Sequence, residues 1–407
     1  MESQNPIDVV VISGITGTKL QEIAQGMLRE AEHRYRLINV EKILEKELGV
    51  ALIDILDTMV RSPSIYKATL SRAIDKVLND VLRSEGNAIV TMHLSYLRRK
   101  HTMLNPTLLK LLSTPSIRIK AIVLIVEDYY HALNRIVDRI VSRSLYIEDT
   151  LDPLLYLNWR AYDFGVAMSL LYQGLRVLLF GAKHRIETYR RLARYVLDSE
   201  DMKLVYFAHH IRMLRRKSAN ERIPLSDVEE VKEIEEFKTM LIERCPRLIL
   251  FEPTTVDELI LDKDNELSVQ ITRENRWPHN YETMHRDYGY PIDMRSSRFS
   301  HIYDTDLLEE RYYLKNLTET IKTQIVTRDL FYVNQSDAVL AYRPTMHGQL
   351  SHGMTIEFTV ASAQAKPVFV YVEQDNEYVR LREMFTEFMF RRIKDREQLL
   401  RSLMCIE

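Results

Sequence analysis

The chain has 407 residues, a formal net charge of −2, 46% apolar residues and 28% charged residues. At about 150 residues per domain it forms two or three domains with globular composition. The near-neutral charge argues against general nucleic-acid binding, and no apolar run reaches the roughly 20 residues that span a bilayer. The first residues lack the regions of a signal peptide, and Cys245 and Cys405 are too few for a disulfide scaffold, so we expect a reduced cytoplasmic protein.

Eight short, β-branched apolar runs alternate with longer segments of helical periodicity. The runs are 8–12, 88–92, 121–126, 176–180, 203–208, 247–251, 338–342 and 367–372. Buried runs separated by helices are typical of parallel sheets covered on both faces. We therefore predict an α/β fold with two doubly wound parallel-sheet domains.

The polar segment 197–202 places the domain boundary near Glu200, so that residues 1–200 form the first domain and residues 201–407 the second. Within the second domain, residues 254–305 have little periodicity and many Arg, His and Tyr residues. A stretch of this length inside a compact domain is usually a lid, a binding insert or a disordered segment. Its arginines Arg273, Arg276 and Arg286 can serve either a ligand or a charged surface loop.

A candidate phosphate loop follows the first run, where Gly14, Gly17, Thr18 and Lys19 lie between a strand and a helix. Backbone N–H groups and a helix N-terminus bind anions at such a place. The full pattern is G-x-x-x-x-G-K-[ST]. Here Thr18 replaces the glycine before the lysine, and Leu20 replaces the hydroxyl residue that ligates Mg²⁺.

The order of these elements resembles the adenylate kinase group of P-loop kinases, the archaeal type in particular, over roughly residues 8–145. In that group a histidine ends the third strand and an acidic residue ends the fourth, where this chain has His93 and Glu127. The resemblance implies a nucleotide-binding domain for ATP or another nucleotide, with Mg²⁺ doubtful. A tight turn without a ligand explains the loop equally, and a solvated helix face explains the repeat of Arg135, Arg139 and Arg143.

Residues 328–372 carry the sharpest motif. They read as a helix ending near Asn334, a buried strand, a loop, a helix starting near Gly353 and a second buried strand. Glu357 lies one turn into the second helix and can point back to the strand ends, where open parallel sheets bind ligands. A carboxylate there can act as a nucleophile or acid/base, or simply favour the helix N-terminus.

This segment resembles the nucleoside 2-deoxyribosyltransferase family, and its deoxynucleoside 5′-monophosphate N-glycosidase branch most of all. The matching residues are Asp329, Asp337, Ser351, Gly353, Glu357, Ala361, Lys366 and Pro367, with Tyr206 and Phe207 in the opening strand. The resemblance covers about 202–407 and implies a flavodoxin-like sheet of five strands. His209 and His210 depart from it, because the family has small residues there.

The resemblance implies cleavage of an N-glycosidic bond by hydrolysis or transfer. Glu357 would attack the anomeric carbon, Asp329 would protonate the departing base, and Tyr206 would orient Glu357 or the sugar. Ser351 would hydrogen-bond a 5′-phosphate, as in the monophosphate branch.

Gly353, Phe207 and Asp337 complete the candidate substrate-binding set. The substrate would be a nucleoside or nucleotide, and a homodimer is expected because related glycosidases complete their sites across a dimer interface. No metal site is expected, since the histidine pairs 209/210 and 279/285 lack helical i, i+4 spacing. Two alternatives stay open: a nucleotide kinase with a second binding module, and a non-catalytic nucleotide sensor.

Overall fold

The computed structural model describes residues 6–31, 35–84, 87–98, 100–129, 132, 135–136, 153–211, 213–214, 217, 221, 227–256, 259–261, 267–269, 307–346, 349–372, 374–384 and 390–403. The chain divides into two compact units, residues 1–182 with 269–322, and residues 183–268 with 323–407. Each unit contains a five-stranded parallel sheet, so the predicted α/β class is confirmed. In the part of the chain that the structure describes, no helix combines the length and apolarity needed to cross a membrane.

The first unit has its five-stranded sheet in the order β2-β3-β1-β6-β7, beside a hairpin of β4 and β5. Its strands are β1 (Ile7–Ser13), β2 (Tyr35–Asn39), β3 (Asn87–Thr91), β4 (Ser95–Arg98), β5 (His101–Leu104), β6 (Ile117–Val126) and β7 (Val177–Gly181). Its helices are α1 (Leu20–Glu30), α2 (Val40–Leu48), α3 (Leu52–Arg61), α4 (Pro63–Leu82), α5 (Pro106–Leu112) and α6 (Pro153–Tyr172). Val9 to Ile12 in the central strand are completely buried, as an apolar run between two helical layers requires.

The second unit has its sheet in the order β16-β15-β12-β8-β9. Its strands are β8 (Lys203–Ala208), β9 (Leu248–Phe251), β12 (Ala338–Tyr342), β15 (Val368–Tyr371) and β16 (Phe390–Ile393), with the short pairs β10 (Leu259–Leu261) and β11 (Leu267–Val269), and β13 (Thr345–Met346) and β14 (Gln349–Leu350). Counted along the unit, the order is 2-1-3-4-5, the flavodoxin order. Ligands in this order bind at the switch point between the first and third strands, here β8 and β12.

Helices cover both faces of the second sheet. They are α7 (Ile186–Ala193), which continues as a π-helical turn (Arg194–Asp198), α8 (Glu229–Arg244), α9 (Leu307–Gln335), of which residues 323–335 belong to this unit, α10 (His352–Ala363), α11 (Asp375–Met384) and α12 (Arg396–Ser402). One face packs residues of β8, β9 and β12 against α8 and α12. A 3₁₀ turn (Pro253–Thr255) follows β9.

All eight predicted runs are strands of these two sheets. The strands β2 and β16, which occupy sheet edges, were not among them. β2 leads without a break into α2, where the side chain of Asn39 caps the helix, and β16 carries two arginines in four residues. Neither segment has the continuous apolar run that marks a central strand.

The division between the units lies near residue 183, whereas the polar break in the sequence suggested Glu200. Helix α7 accounts for the difference, because it belongs with β9 in the second unit. The buried guanidinium of Arg191 donates hydrogen bonds to the carbonyls of Ile242, Cys245 and Leu248. A helix anchored by three backbone carbonyls is fixed to that sheet rather than to a linker.

Cys245 ends helix α8 and is fully buried in the core of the second unit. It is disulfide-bonded, which differs from the reduced chain that the cysteine count suggested. Cys405, the other cysteine in the sequence, lies outside the described residues. Most of the insert 254–305, with Arg273, Arg276 and Arg286, also lies outside them.

Candidate active site

Tyr206 and Glu357 form the centre of the candidate site in the second unit. Strand β8 carries Tyr206 on the sheet face opposite to Phe207, and α10 carries Glu357 in its second turn. The Tyr206 hydroxyl donates a hydrogen bond of 2.8 Å to Oε1 of Glu357. Tyr206 is 1% exposed and Glu357 7% exposed. The other carboxylate oxygen, Oε2, is buried and has no hydrogen-bond partner among the described residues.

Asp329 and Arg328 supply the second carboxyl group and its counter-ion from helix α9. Nε and Nη2 of Arg328 donate to Oδ1 of Asp329 at 3.0 Å and 2.8 Å. Arg328 also donates to the carbonyl oxygen of Val256, and its guanidinium lies 6.0 Å from the ring centroid of Tyr332. Arg328 is 3% exposed, so this arginine is part of the interior rather than of a solvated face.

The two carboxyl groups repel each other inside this buried site. Burial raises the pKa of Glu357 to about 8, with the charge of Asp329 as the next cause. Burial also raises the pKa of Asp329, while the charge of Arg328 acts to lower it. Arg328 therefore favours the ionised form of Asp329, whereas burial favours the protonated form of Glu357 at neutral pH.

Tyr206 stays protonated at any physiological pH. Burial raises its pKa well above the ordinary value, and the charges of Asp329 and Glu357 act in the same direction. Its hydroxyl is therefore a permanent hydrogen-bond donor to Glu357, and this bond favours the ionised form of that carboxyl group.

An aromatic wall lies next to the two carboxyl groups. The rings of Phe251 and Tyr332 stack with centroids 5.4 Å apart, and the Tyr206 ring lies 6.2 Å from that of Tyr332. The His184 ring stands edge-on to Phe251 and to Tyr332. These rings are buried and surround Tyr206 with largely apolar groups, and charges interact more strongly in such surroundings than in water.

Ser351 and Gly353 lie at the beginning of α10, the helix that carries Glu357. The Ser351 hydroxyl accepts a hydrogen bond of 3.2 Å from the backbone N–H of Met354, so this serine is the N-cap of the helix. Gly353 is exposed, and a side chain at that position would meet no described atom within 4 Å. The backbone of this helix turn is open to a ligand, and its N–H groups and dipole suit an anion.

Asp337 and Phe207 do not join the other predicted residues. Oδ2 of Asp337 accepts a hydrogen bond of 2.8 Å from the backbone N–H of Leu204, at the amino-terminal edge of the sheet. Phe207 is fully buried in the core, where its ring packs near those of Phe237 and Tyr342. The structure thus brings together Tyr206, Asp329 and Glu357, and gives Asp337 and Phe207 structural contacts.

Sequence reasoning did not single out Arg328, Tyr332, Phe251 or His184. A usable signal existed for the first two, since Arg328 and Tyr332 stand four residues apart on one helix face beside Asp329. Phe251 ends a predicted strand whose register pairs it with Tyr206. His184 precedes α7 and carries no pattern in the sequence.

The predicted phosphate loop of the first unit is a closed, buried turn. Gly17 has φ +95°, and a Cβ there would lie 2.8 Å from the carbonyl oxygen of Ala132. A Cβ at Gly14 would lie 2.7 Å from the carbonyl oxygen of Ile125. The Thr18 hydroxyl donates to the carbonyl of Ile15 at 2.7 Å, which closes the turn on itself.

Charged residues of the same unit surround this loop. Arg135 donates from Nε to the carbonyl of Gly17 at 2.5 Å and forms an ion pair with Glu127. His93 Nδ1 lies 2.5 Å from the carbonyl oxygen of Gly14. The Lys19 side chain is half exposed and lies 3.2 Å from Glu22. Protein atoms therefore occupy the positions next to the loop, and Lys19 forms an ion pair with Glu22 at the surface. Arg139 and Arg143 lie outside the described residues.

Within the described ranges, no group of three or more His, Cys, Asp or Glu residues is arranged to hold a metal ion.

No protein-family model matches the chain, and no curated protein matches it. The geometry of the two sites therefore carries the functional argument.

Proposed function

We propose that the second unit cleaves the N-glycosidic bond of a (deoxy)nucleoside or its 5′-monophosphate, by hydrolysis or by transfer to another base, with Glu357 as the nucleophile. The observation that supports this most is the buried hydrogen bond from Tyr206 to Glu357, which leaves Oε2 unpaired. A carboxylate with one oxygen fixed and one unpaired is prepared to form a bond with an electrophilic carbon.

A second carboxyl group within electrostatic reach supports the same chemistry. Retaining glycoside cleavage uses two carboxyl groups, one ionised as nucleophile and one protonated as acid. Burial, and next the charge of Asp329, raise the pKa of Glu357 to about 8, so the site holds a proton at neutral pH that the acid of this mechanism can use.

The position of that proton defines the order of events in the proposed reaction. The proton resides on Glu357 in the resting site, so it passes to Asp329 as Glu357 attacks. The bond from Oε2 to the anomeric carbon forms while the carbon–nitrogen bond breaks. Its electron pair leaves with the base, and Asp329 delivers the proton to the base nitrogen. Tyr206 stabilises the carboxylate of Glu357 through its hydrogen bond.

The second step releases the sugar from Glu357. Water, or the nitrogen of another base, attacks the anomeric carbon as the ester bond to Glu357 breaks. Asp329 accepts the proton of the attacking group, and the proton returns to the pair. Arg328 compensates the charge of Asp329 whenever that residue is ionised, and so makes it a proton carrier with two accessible states.

The beginning of α10 supports a 5′-phosphate on the substrate. Ser351 and the exposed Gly353 lie at the N-terminus of the helix that carries Glu357, where backbone N–H groups favour an anion. A nucleotide that places its sugar at Glu357 can reach this helix end, because the separation is about 9 Å for six residues at 1.5 Å each.

The first unit is proposed to bind a nucleotide, as its resemblance implies. Catalysis of phosphoryl transfer by this unit is the alternative with less support, because Gly17 packs on Ala132 and Lys19 lies beside Glu22. Formation of ADP from ATP that is lost on Lys19→Ala would establish the kinase alternative. A homodimer and a cytoplasmic location complete the proposal and rest on the resemblance and composition.

The direct test is release of free base from the four common deoxynucleoside monophosphates and from the corresponding nucleosides, measured by chromatography. The wild-type chain should release base from at least one of them, and Glu357→Ala should abolish the release. Glu236→Gln, at an exposed glutamate of α8, is the matched control and should keep full activity. The absence of base release from every substrate, or full activity of Glu357→Ala, would overturn the proposal.

A further inference from the structure

A buried carboxyl group joins the β4–β5 hairpin of the first unit to helix α6. The Ser95 hydroxyl, at the start of β4, donates a hydrogen bond to Oδ1 of Asp163 on α6. The same hydroxyl accepts a hydrogen bond of 2.9 Å from Nε1 of Trp159, one turn earlier on that helix. We call these three residues the hairpin anchor. Because an indole N–H can only donate, the hydroxyl proton of Ser95 is directed at Asp163.

The carboxyl group of Asp163 has little to stabilise its charge. Asp163 is 1% exposed, and its Oδ2 has no hydrogen-bond partner among the described residues. An ionised carboxyl group in such a place is unfavourable, whereas the protonated group avoids most of the cost. Burial raises the pKa of Asp163 to about 7, and the hydrogen bond from Ser95 acts in the opposite direction. The group therefore changes its charge around neutral pH.

A second polar contact holds the hairpin on its other side. Nε of Arg98, at the end of β4, lies 2.6 Å from Oδ1 of Asp57 on α3. This contact is an ion pair, so its charges stabilise it. Ionisation of Asp163, by contrast, makes the burial of that residue against β4 unfavourable. Only the contact with α6 thus loses stability when its carboxyl group is ionised.

The other charged and titratable side chains around the anchor have partners of their own. They are His93, Tyr96, Arg160, Glu127 and Asp128. Nη1 of Arg160 donates a hydrogen bond of 2.9 Å to the carbonyl oxygen of Glu127, and the Glu127 carboxylate pairs with Arg135. The Tyr96 hydroxyl contacts Glu41 at 3.3 Å. None of these side chains donates to Oδ2 of Asp163.

The segment that leads into the hairpin touches the glycine loop of the first unit. Nδ1 of His93 lies 2.5 Å from the carbonyl oxygen of Gly14, and the His93 ring stands edge-on to Trp159 of the anchor. The backbone N–H of Leu94 donates a hydrogen bond of 2.9 Å to Oγ of Ser13. A movement of the hairpin therefore acts on residues that contact this loop.

We propose that Asp163 makes the packing of the β4–β5 hairpin on α6 depend on pH, because the protonated carboxyl group holds the hairpin and the ionised group releases it. In the open state Asp163 is hydrated and ionises near its ordinary pKa of 3.8. The stabilisation of the closed hairpin by the proton is fully present below that pH, and it is lost as the pH rises through 7.

Hydrogen exchange of the full chain at pH 6 and at pH 8 measures this opening. After correction for intrinsic exchange rates, the protection of the β4 and β5 amides should fall about tenfold between the two pH values. The amides of β1, in the same unit, should keep their protection because the hairpin opens locally. Equal protection of the hairpin at both pH values, or an equal fall in β1, would overturn the proposal.

Substitutions test whether Asp163 is the group that titrates. Asp163→Asn keeps the shape and an acceptor for Ser95 but cannot ionise, so the fall in protection should disappear. Asp54→Asn, at an exposed aspartate of α3, is the matched control and should retain it. Ser95→Ala removes a donor that favours the ionised form, so the fall should occur at higher pH. A tenfold fall that persists in Asp163→Asn would refute the role of this residue.

A titration of the wild-type chain tests the same proposal without any substitution in the measured protein. The carboxyl carbon of Asp163, labelled with ¹³C and assigned by the loss of its signal in Asp163→Asn, is followed by NMR. Its signal should move with a midpoint near pH 7. A midpoint below about pH 5, close to that of a hydrated carboxyl group, would contradict the proposal.

Discussion

The hydroxyl of Tyr206 donates a 2.8 Å hydrogen bond to Oε1 of Glu357, across 151 residues of sequence and between a strand and a helix. Both side chains are buried, and Oε2 of Glu357 is left without a partner among the described residues. Burial of a carboxyl group in this state is unfavourable for folding when the group is ionised. The site therefore has a cost in stability that can be measured, and that cost depends on pH.

Glu357→Gln should stabilise the fold at alkaline pH and not at acid pH. The pKa of Glu357 is about 8 in the folded chain and near 4.5 when unfolded. The folded state thus binds the proton more tightly, and stability is lost as the pH rises from 4.5 to 8. Chemical denaturation measures the free energy of unfolding of Glu357→Gln relative to the wild-type chain. This difference should be at least about 1.4 kcal/mol more favourable to the variant at pH 8 than at pH 4.5, the energy that corresponds to one pKa unit. Glu236→Gln should show no such pH dependence, and an identical result for both variants would refute the buried ionisable pair.

Tyr206→Phe removes the hydrogen bond to Glu357 and leaves the packing of the ring in place. Without this donor the ionised form of Glu357 is less stable, and its pKa rises further. We expect kcat for base release to fall about ten- to a hundredfold, the equivalent of a hydrogen bond to a charged group. KM should change little, and the acid limb of the pH–rate profile should move to higher pH. An unchanged kcat would show that Tyr206 does not act on Glu357.

Arg328→Met should be strongly destabilising because it leaves Asp329 buried without a counter-ion. Removing one partner of a buried ion pair costs about 3–5 kcal/mol. The double variant Arg328→Met/Asp329→Asn removes both charges and should recover much of that loss. Denaturant unfolding of the wild-type chain, both single variants and the double variant measures the coupling. Additive effects in the double variant would mean that the two side chains do not interact.

Two glycines should respond in opposite ways to alanine. Gly17 has a positive φ and a carbonyl oxygen 2.8 Å from the site of a Cβ, so Gly17→Ala should destabilise the first unit by more than about 1 kcal/mol. Gly353 lies in open space within α10, so Gly353→Ala should stabilise the helix by about 0.5–1 kcal/mol. Thermal unfolding measures both.

Gly353→Ala should also affect substrate binding. We expect this substitution to raise the KM for 5′-monophosphates by a larger factor than the KM for nucleosides. Equal changes in the two KM values would place the phosphate elsewhere.

The sequence predicts the strands that have a continuous apolar run, including the edge strands β7 and β9, and misses the edge strands β2 and β16. Runs such as 203–208 and 338–342 are buried on both faces, and this burial is visible as continuous apolar character. The edge strands β2 and β16 mix charged and apolar residues, so their pairing depends on neighbours that are distant in sequence. The helix 186–193 reads as the end of the first domain because its tertiary anchor, Arg191, carries no local signal.

For the candidate site, spacing and family resemblance select Tyr206, Asp329 and Glu357, and the structure brings them together. The ion pair of Arg328 with Asp329 is not predictable, because adjacent residues on a helix face different directions unless side-chain rotamers bring them together. Ser351, which the resemblance selects as a phosphate contact, is the N-cap of α10. The closing of the first loop by Ala132 and Arg135 depends on tertiary contacts across more than a hundred residues.

The central claim is that Glu357 forms a covalent bond with the sugar. The most direct measurement is rapid quenching of the wild-type chain with its preferred deoxynucleotide, followed by proteolysis and peptide mass spectrometry. We expect a sugar-phosphate ester on the peptide that contains Glu357, and no ester and no base release in Glu357→Gln. Base release that continues in Glu357→Gln, or an ester on a different residue, would contradict it.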